Sequence, residues 1–382
     1  MSSFAHRTGL TSERAPRRYL WTDAFAVLNY LELARLTGLA QHRELALRLV
    51  EQVHRVLGHH RADDSRRGWL SGLDEEYGWT HPTRGGLRIG KPQPERGPGS
   101  SVDRLSDERA EWDRDGQYFH YLTKWMQALA QVSRVTGDPS HLRHAVELAE
   151  AAHAGFVRAV PGGSPRLAWK MSIDLERPLV PAMGLHDPLD GWLTFAGLAA
   201  QSARVGGEPV LGPQIVELRA LVVGLERVTD DPLGVGGLLW DALRLGRLVA
   251  AGRSPEVDVL GVLLHSAAAG TLAFSRGGGL AQPAARRLAF RELGLALGLR
   301  AVPLLEDLGE HGLEPPLDPG DARPELSAGD LATLRQCAPV GEFIEQCWLD
   351  PRNRELACWR DHEDINAVML ATSQIPGGAL GA

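Results

Sequence analysis

Four aspartates and a histidine crowd the starts of two long apolar segments. Asp113 and Asp115 open Glu111–Leu129 (EWDRDGQYFHYLTKWMQAL), followed by Gln117, Tyr118 and His120. His186, Asp187 and Asp190 open LHDPLDGW, followed by Trp192. Two carboxyl groups across a glycosidic bond, one protonated and one ionised, are what glycoside hydrolysis requires. A histidine at the same place can abstract a proton and return it, as sugar epimerisation or isomerisation requires. A single Asp at a helix start is ordinarily an N-cap that accepts from free backbone N–H groups. Asp187 before Pro188 fits that role well, since Pro suits the first turn. The functional reading therefore rests on several such starts converging.

Similar starts recur along the chain: Trp21 and Asp23 in YLWTDAF, Trp240 and Asp241 in GLLWDAL, and Arg291 and Glu292 in FRELG. Ten tryptophans against five tyrosines add flat apolar faces with one N–H donor each. Such faces suit the C–H side of a sugar ring, or they fill a wide core. Inside Glu111–Leu129, Tyr118, Leu122, Trp125 and Leu129 continue to Val132 as an apolar stripe. His120, Lys124, Gln127, Gln131 and Arg134 form a polar stripe at helical spacing, either solvated or a seam between helices. Asp113, Asp115, Gln117 and Tyr118 come first in that segment, so they are expected to face a cavity.

Two long connections carry further candidates. Residues 60–115 hold SGLDEEYGWTHPTRGGLRIG, with Trp79 and His81 on a Pro-stiffened turn, and a tail from Lys91 that reads as flexible loop. Residues 161–187 hold Trp169, Lys170, Asp174 and His186, and Met171–Leu175 alternates like a short strand. Near the end, CWRDHEDINAVML places His362 ahead of another apolar segment, where a capped start is the plain alternative. A lyase would need a base with a cation to neutralise a uronate, for which Lys170 and Arg291 are present.

The elements that position these residues are helices. Leu, Ala, Arg and Glu dominate and Val/Ile alternation is nearly absent, so the chain reads as all-α. About twelve segments follow in order: 19–37, 42–59, 116–136, 140–160, 188–204, 212–228, 236–251, 255–269, 283–299, 301–308, 327–348 and 362–373. Segments apolar nearly all round alternate with segments having one wet face. Gly38–Gln41 and Gly137–Pro139 are short links that make antiparallel hairpins, and longer Gly/Pro-rich loops join one hairpin to the next. Those long loops all enter the starts of the apolar helices, so the polar residues there gather at one mouth.

This rhythm, with the starts YLWTDAF, WDRDGQYF, LHDPLDGW and GLLWDAL, resembles the (α/α)6 toroid, the six-hairpin superfamily of many glycosidases, uronyl hydrolases, polysaccharide lyases and sugar 2-epimerases. The resemblance covers most of the chain. It implies an inner and an outer ring of helices in a single domain over residues 19–382, preceded by an extension over 1–18. It also implies a sugar-like small-molecule substrate, with a hydrolase first and an epimerase or isomerase second. The same fold holds prenyltransferase subunits, terpene cyclases and lanthionine cyclases, and it also allows a binding or scaffold module.

Composition narrows the remaining choices. The 382 residues carry a net charge of −7 and no basic block, which argues against nucleic acid. The most apolar stretch, from Val257 to Phe274, contains His265 and Ser266 and reads as a core helix rather than a membrane span. Cys337, Cys347 and Cys358 form no CxxC pair and are odd in number, so neither a disulfide framework nor a zinc site is expected. Asp63-Asp64 lacks the further acids of a magnesium-binding cluster. No metal or cofactor is expected, and a cytoplasmic location is the default for a reduced chain without an apolar leader.

Overall fold

Straight-chain and small residues at helical spacing do make helices: 66% of the chain is helical and 4% is strand. The computed structural model describes residues 1–97, 111–160, 162–163, 165–180, 184, 186–222, 228–311 and 328–381. The chain divides into two compact units, Met1–Leu225 and Glu226–Gly381.

The first unit begins with α1 (Ser2–Arg7), α2 (Leu20–Thr37), α3 (Ala40–Leu57) and α4 (Glu75–Thr80). It continues through β1 (Gln117–Tyr118), α5 (Phe119–Thr136), α6 (Pro139–Phe156), β2 (Val157–Arg158), β3 (Arg166–Leu167) and β4 (Lys170–Met171) to α7 (Asp187–Arg204) and α8 (Gly212–Val222). Helices α2/α3, α5/α6 and α7/α8 are packed pairs, and α5 also packs against both α2 and α7. Gly38 and Gly137 close the first two hairpins in the left-handed conformation, at φ 70° and 75°, which glycine adopts without a Cβ penalty.

Burial separates the two kinds of helix. Every residue of α2 from Leu20 to Leu31 is buried, whereas α3 buries one face made by Ala46, Leu49, Val50, Val53 and Leu57. In α5 the expected stripe Leu122, Trp125, Leu129 and Val132 is fully enclosed, and in α6 so are Ala145, Ala149, Ala152 and Phe156. The first eighteen residues are more than a trailing extension. Phe4 and Leu10 are buried, and Arg18 lies enclosed with its guanidinium donating to the Thr8 carbonyl at 2.5 Å.

The second unit contains α9 (Pro232–Ala250), α10 (Val257–Arg276), α11 (Ala289–Leu299), α12 (Val302–His311), α13 (Ala328–Gln336) and α14 (Ala338–Leu349). The short helices α15 (Pro351–Arg354) and α16 (Ala357–Arg360), then α17 (Glu363–Gln374) and α18 (Gly377–Leu380), complete it. Helix α9 packs on α10, α11 and α12, and α11 packs on α14 and α17. The α9–α11 approach depends on glycine: a Cβ at Gly236 would sit 2.0 Å from the Gly294 carbonyl oxygen.

Several boundaries differ from the sequence reading. The segment 327–348 is two helices parted at Cys337, because Pro339 lies in the first turn of α14. Helix α10 runs on through Gly270 to Arg276 and is long and apolar enough to cross a membrane by length and composition alone; it packs on α9 and α13. Residues 283–288 form no α-helix, and α11 starts at Ala289. The strand expected at 171–175 shortens to β4, which pairs antiparallel with β1 in the register Gln117↔Met171.

Candidate functional site

The helix starts of the first unit carry their polar residues in very different states. Asp115 is completely buried. Its Oδ2 accepts from Arg88 at 2.5 Å and from Arg61 at 3.3 Å, and its Oδ1 from the backbone N–H groups of Gly90 and Lys91. Arg88 also donates to the carbonyls of Val56 and His59, and Arg61 to those of Lys91 and Pro92. Asp115 is thus the hub that ties residues 56–61 to residues 88–92. Gln117 does similar work: its Oε1 accepts from Leu87 N–H, and its Nε2 donates to the carbonyls of Gly85 and Ile173. Lys170 is fully enclosed, and all three ammonium protons are used by the Glu111 carboxylate, the Glu111 carbonyl and the Arg114 carbonyl. Burial pushes its pKa down, while Glu111 opposes that shift. Asp113, two residues before this hub, is exposed.

The polar stripe on α5 is a seam to α7. Asp190 accepts from Thr123 at 2.5 Å, from Lys124 at 2.9 Å and from Gln127 at 3.1 Å, and Gln127 also donates to Thr194. His120, first in the stripe, stays open: its side chain is 28% exposed, and its Nδ1 lies 3.5 Å from Asp187 Oδ2. Neither of those atoms has a hydrogen bond to any described residue, although Asp187 is 92% buried, having 8% exposure. A carboxylate beside Nδ1 favours the tautomer that carries the proton there, which leaves the Nε2 lone pair available.

Aromatic rings surround this pair. The Trp169 ring lies parallel to the His120 ring with centroids 6.4 Å apart, and Tyr118 is 5.3 Å from each. Tyr121 meets His120 edge-on at 4.8 Å, and its hydroxyl pairs with that of Tyr19 at 2.5 Å. Trp112, exposed, packs edge-on against Trp169. Burial raises the pKa of Tyr118 and of Tyr121, so both phenols keep their protons at neutral pH. The residue ahead of α2, strand β1, helices α5 and α7 and the loops before β1 and β4 supply these groups. His186 is the residue just before α7, and Trp192 is buried one turn in.

Other candidates lie elsewhere in the unit. Trp21 is buried against Phe25, and Asp23 accepts the Tyr19 N–H and pairs with Arg18. Trp79 packs on Trp69 under the Arg55 guanidinium. His81 pairs with Glu147 of α6 at 2.5 Å, beside the buried rings of His54 and His144, which are 5.6 Å apart. Burial holds His54 neutral, with its Nε2 accepting from Trp125, and it lowers His144 to about 4. An open groove lined by Ser2, Gln41, His42, Leu45 and Arg48 shares no residue with the His120 cluster.

In the second unit, Glu292 is buried in a bidentate pair with Arg287 and accepts from the Trp348 indole. Arg291 pairs with Asp231, the N-cap of α9. His362 is the residue before α17, 6.0 Å from the Phe290 ring. Among the described residues, no group of three or more His, Cys, Asp or Glu side chains is placed to hold a metal ion.

Of the sequence candidates, then, Tyr118, His120 and Asp187 come together, with Asp190 on the adjoining seam. Tyr19, Tyr121 and Lys91 join them without having been singled out. Tyr19 did carry a signal, being the residue ahead of the most buried helix. Lys91 carried none, because its place depends on the Asp115 hub. No protein-family model matches the chain, and no curated protein matches its sequence.

Proposed function

We propose that the first unit carries an acid–base site for a small sugar-like molecule, with His120 as the group that takes and returns the proton. The observation that carries this reading is the His120–Asp187 pair, 3.5 Å apart, with three aromatic rings packed on His120. Asp187 orients the imidazole through Nδ1, and Nε2 is the basic atom. The half-buried Trp169 face would carry the flat C–H side of a sugar ring, with the buried Tyr118 packed against it. The helical hairpins of both units support the six-hairpin (α/α)6 reading of the chain, and with it a sugar-type substrate. Epimerisation or isomerisation is the reaction class we favour. Hydrolysis by paired carboxylates is less favoured, because Asp115 and Asp190 have their oxygens occupied by Arg, Lys, Gln, Thr and backbone donors.

The test is solvent proton exchange. Hexoses, uronates and hexose phosphates are incubated with the protein in D2O and followed by proton NMR. Loss of one C–H signal, abolished in His120→Asn, is the expected result. Glycoside cleavage without exchange, or exchange unaffected by His120→Asn, would remove the reading.

A further inference from the structure

Beside the acid–base pair, an ammonium group stands without an acid. Lys91 Nζ lies 5.2 Å from the centre of the Tyr19 ring, and it makes no ion pair with any described carboxylate. Nearby Lys170 and Lys124 do pair, with Glu111 and Asp190. The backbone of Lys91 is held on both sides: its N–H donates to Asp115 Oδ1, and its carbonyl accepts from Arg61 at 2.6 Å. The side chain is half-buried, so the ammonium has lost part of its water. The ring beneath it offers only the modest attraction of a cation over an aromatic face.

The neighbouring hydroxyls point to the same ligand chemistry. Tyr19 and Tyr121 share one hydrogen bond at 2.5 Å, and two phenols hold two protons. One proton makes that bond and the other remains to donate to a third group. Lys91, Tyr19, Tyr121 and His120 form a continuous strip, with Tyr19 and Tyr121 in edge contact at 5.5 Å. Its Lys91 end offers hydrogen-bond donors and positive charge. Its His120 end offers a base backed by Asp187. A ligand lying along the strip would place an oxyanion at one end and the reacting C–H or hydroxyl at the other.

We infer that the site is built for an anionic substrate, a sugar carboxylate or sugar phosphate, whose charged group is held by Lys91 and the Tyr19–Tyr121 hydroxyl pair. This rests on the site assignment above, and it adds Lys91 as the specificity-determining residue. Asp115 becomes a positioning residue, which fixes the chain at Lys91 from beneath.

Binding separates this inference from the reaction itself. The full chain is titrated by calorimetry with glucose, glucuronate and glucose 6-phosphate, as wild type, Lys91→Gln, Lys91→Arg and His120→Asn. The expected result is that at least one anion binds tenfold or more tighter than glucose, and that Lys91→Gln erases the difference. Lys91→Arg should keep most of it, and His120→Asn should keep binding while losing exchange. The anion preferred distinguishes carboxylate from phosphate. Equal binding of glucose and both anions, no binding of either anion, or an anion preference that survives Lys91→Gln would each overturn the inference. Absence of exchange in the wild type, with Lys91-dependent anion binding intact, would instead count against the acid–base reading alone.

Discussion

Asp115 lies just ahead of α5 and Asp187 opens α7, and the two carboxylates live in opposite surroundings. Asp115 is sealed, and two arginines and two backbone N–H groups use its oxygens. Asp187 is nearly as deeply placed, but among the described residues its Oδ2 makes no hydrogen bond and lies 3.5 Å from the imidazole of His120. A saturated carboxylate is a fastener, since any proton or ligand it took would cost it a partner already in place. An unsaturated one beside a half-exposed histidine can still do chemistry. Burial alone therefore does not distinguish these two carboxylates; hydrogen-bond occupancy does.

Removing the fastener should have the largest effect. Asp115→Ala leaves Arg88 buried without its counter-charge, while Arg61 keeps Asp63, and such a change costs about 3–5 kcal/mol. Denaturant unfolding should report a loss of that size, and a loss near zero would break the contrast drawn above. Acid should come next. His144 is held near 4 by burial, against about 6.5 in the unfolded chain. The unfolded state then binds the proton more readily, so stability is complete above about pH 6.5. It falls as the pH drops towards 4, with this one group contributing about 3 kcal/mol. His54, also neutral through burial, adds to the fall. The check is the unfolding midpoint from pH 7 to pH 4, where His144→Gln should flatten the curve.

A plain cap gives an intermediate case. Asp138 accepts from Ser140 N–H at the exposed start of α6, and Asp138→Ala should cost about 1 kcal/mol in the same unfolding assay. Asp187→Asn should be the smallest in stability, below about 1 kcal/mol, because no hydrogen bond from a described residue to Oδ2 is lost. Its effect should appear instead in proton exchange, lowered by about a hundredfold or more. A stability loss as large as that of Asp115→Ala would make Asp187 a second fastener.

The helical hairpins were legible because their causes are local. Helix α2 is apolar on every side, α3 and α6 have one wet face, and Gly38 and Gly137 mark the turns. Local rules failed where tertiary contact decided the matter. Gly270 reads as a helix end, yet α10 continues through it, and a Cβ there would lie 2.3 Å from the Thr229 carbonyl oxygen. The glycine is there for close packing. In the site, spacing placed His120 on a polar stripe and Asp187 at a helix start, but it could not rank Asp115 against Asp187. That ranking depends on Arg61 and Arg88, distant in sequence. Lys91 was hidden for the same reason: the tail of a long loop reads as flexible, whereas residues 90–93 are fastened to 113–115.

The fastening of the two long loops has a kinetic consequence. Gln117 bonds to both of them, through Gly85 and Leu87 on one side and Ile173 on the other. Arg66 bridges Asp64, Glu95 and Asp174, and Glu95 also accepts the Ile173 N–H. Swinging either loop alone would break several of these bonds at once. This part of the rim is therefore set before any ligand arrives. Entry past it needs no opening step, so the rate of capture would follow diffusion and the pull of Lys91 on an anion, and would fall as salt is added.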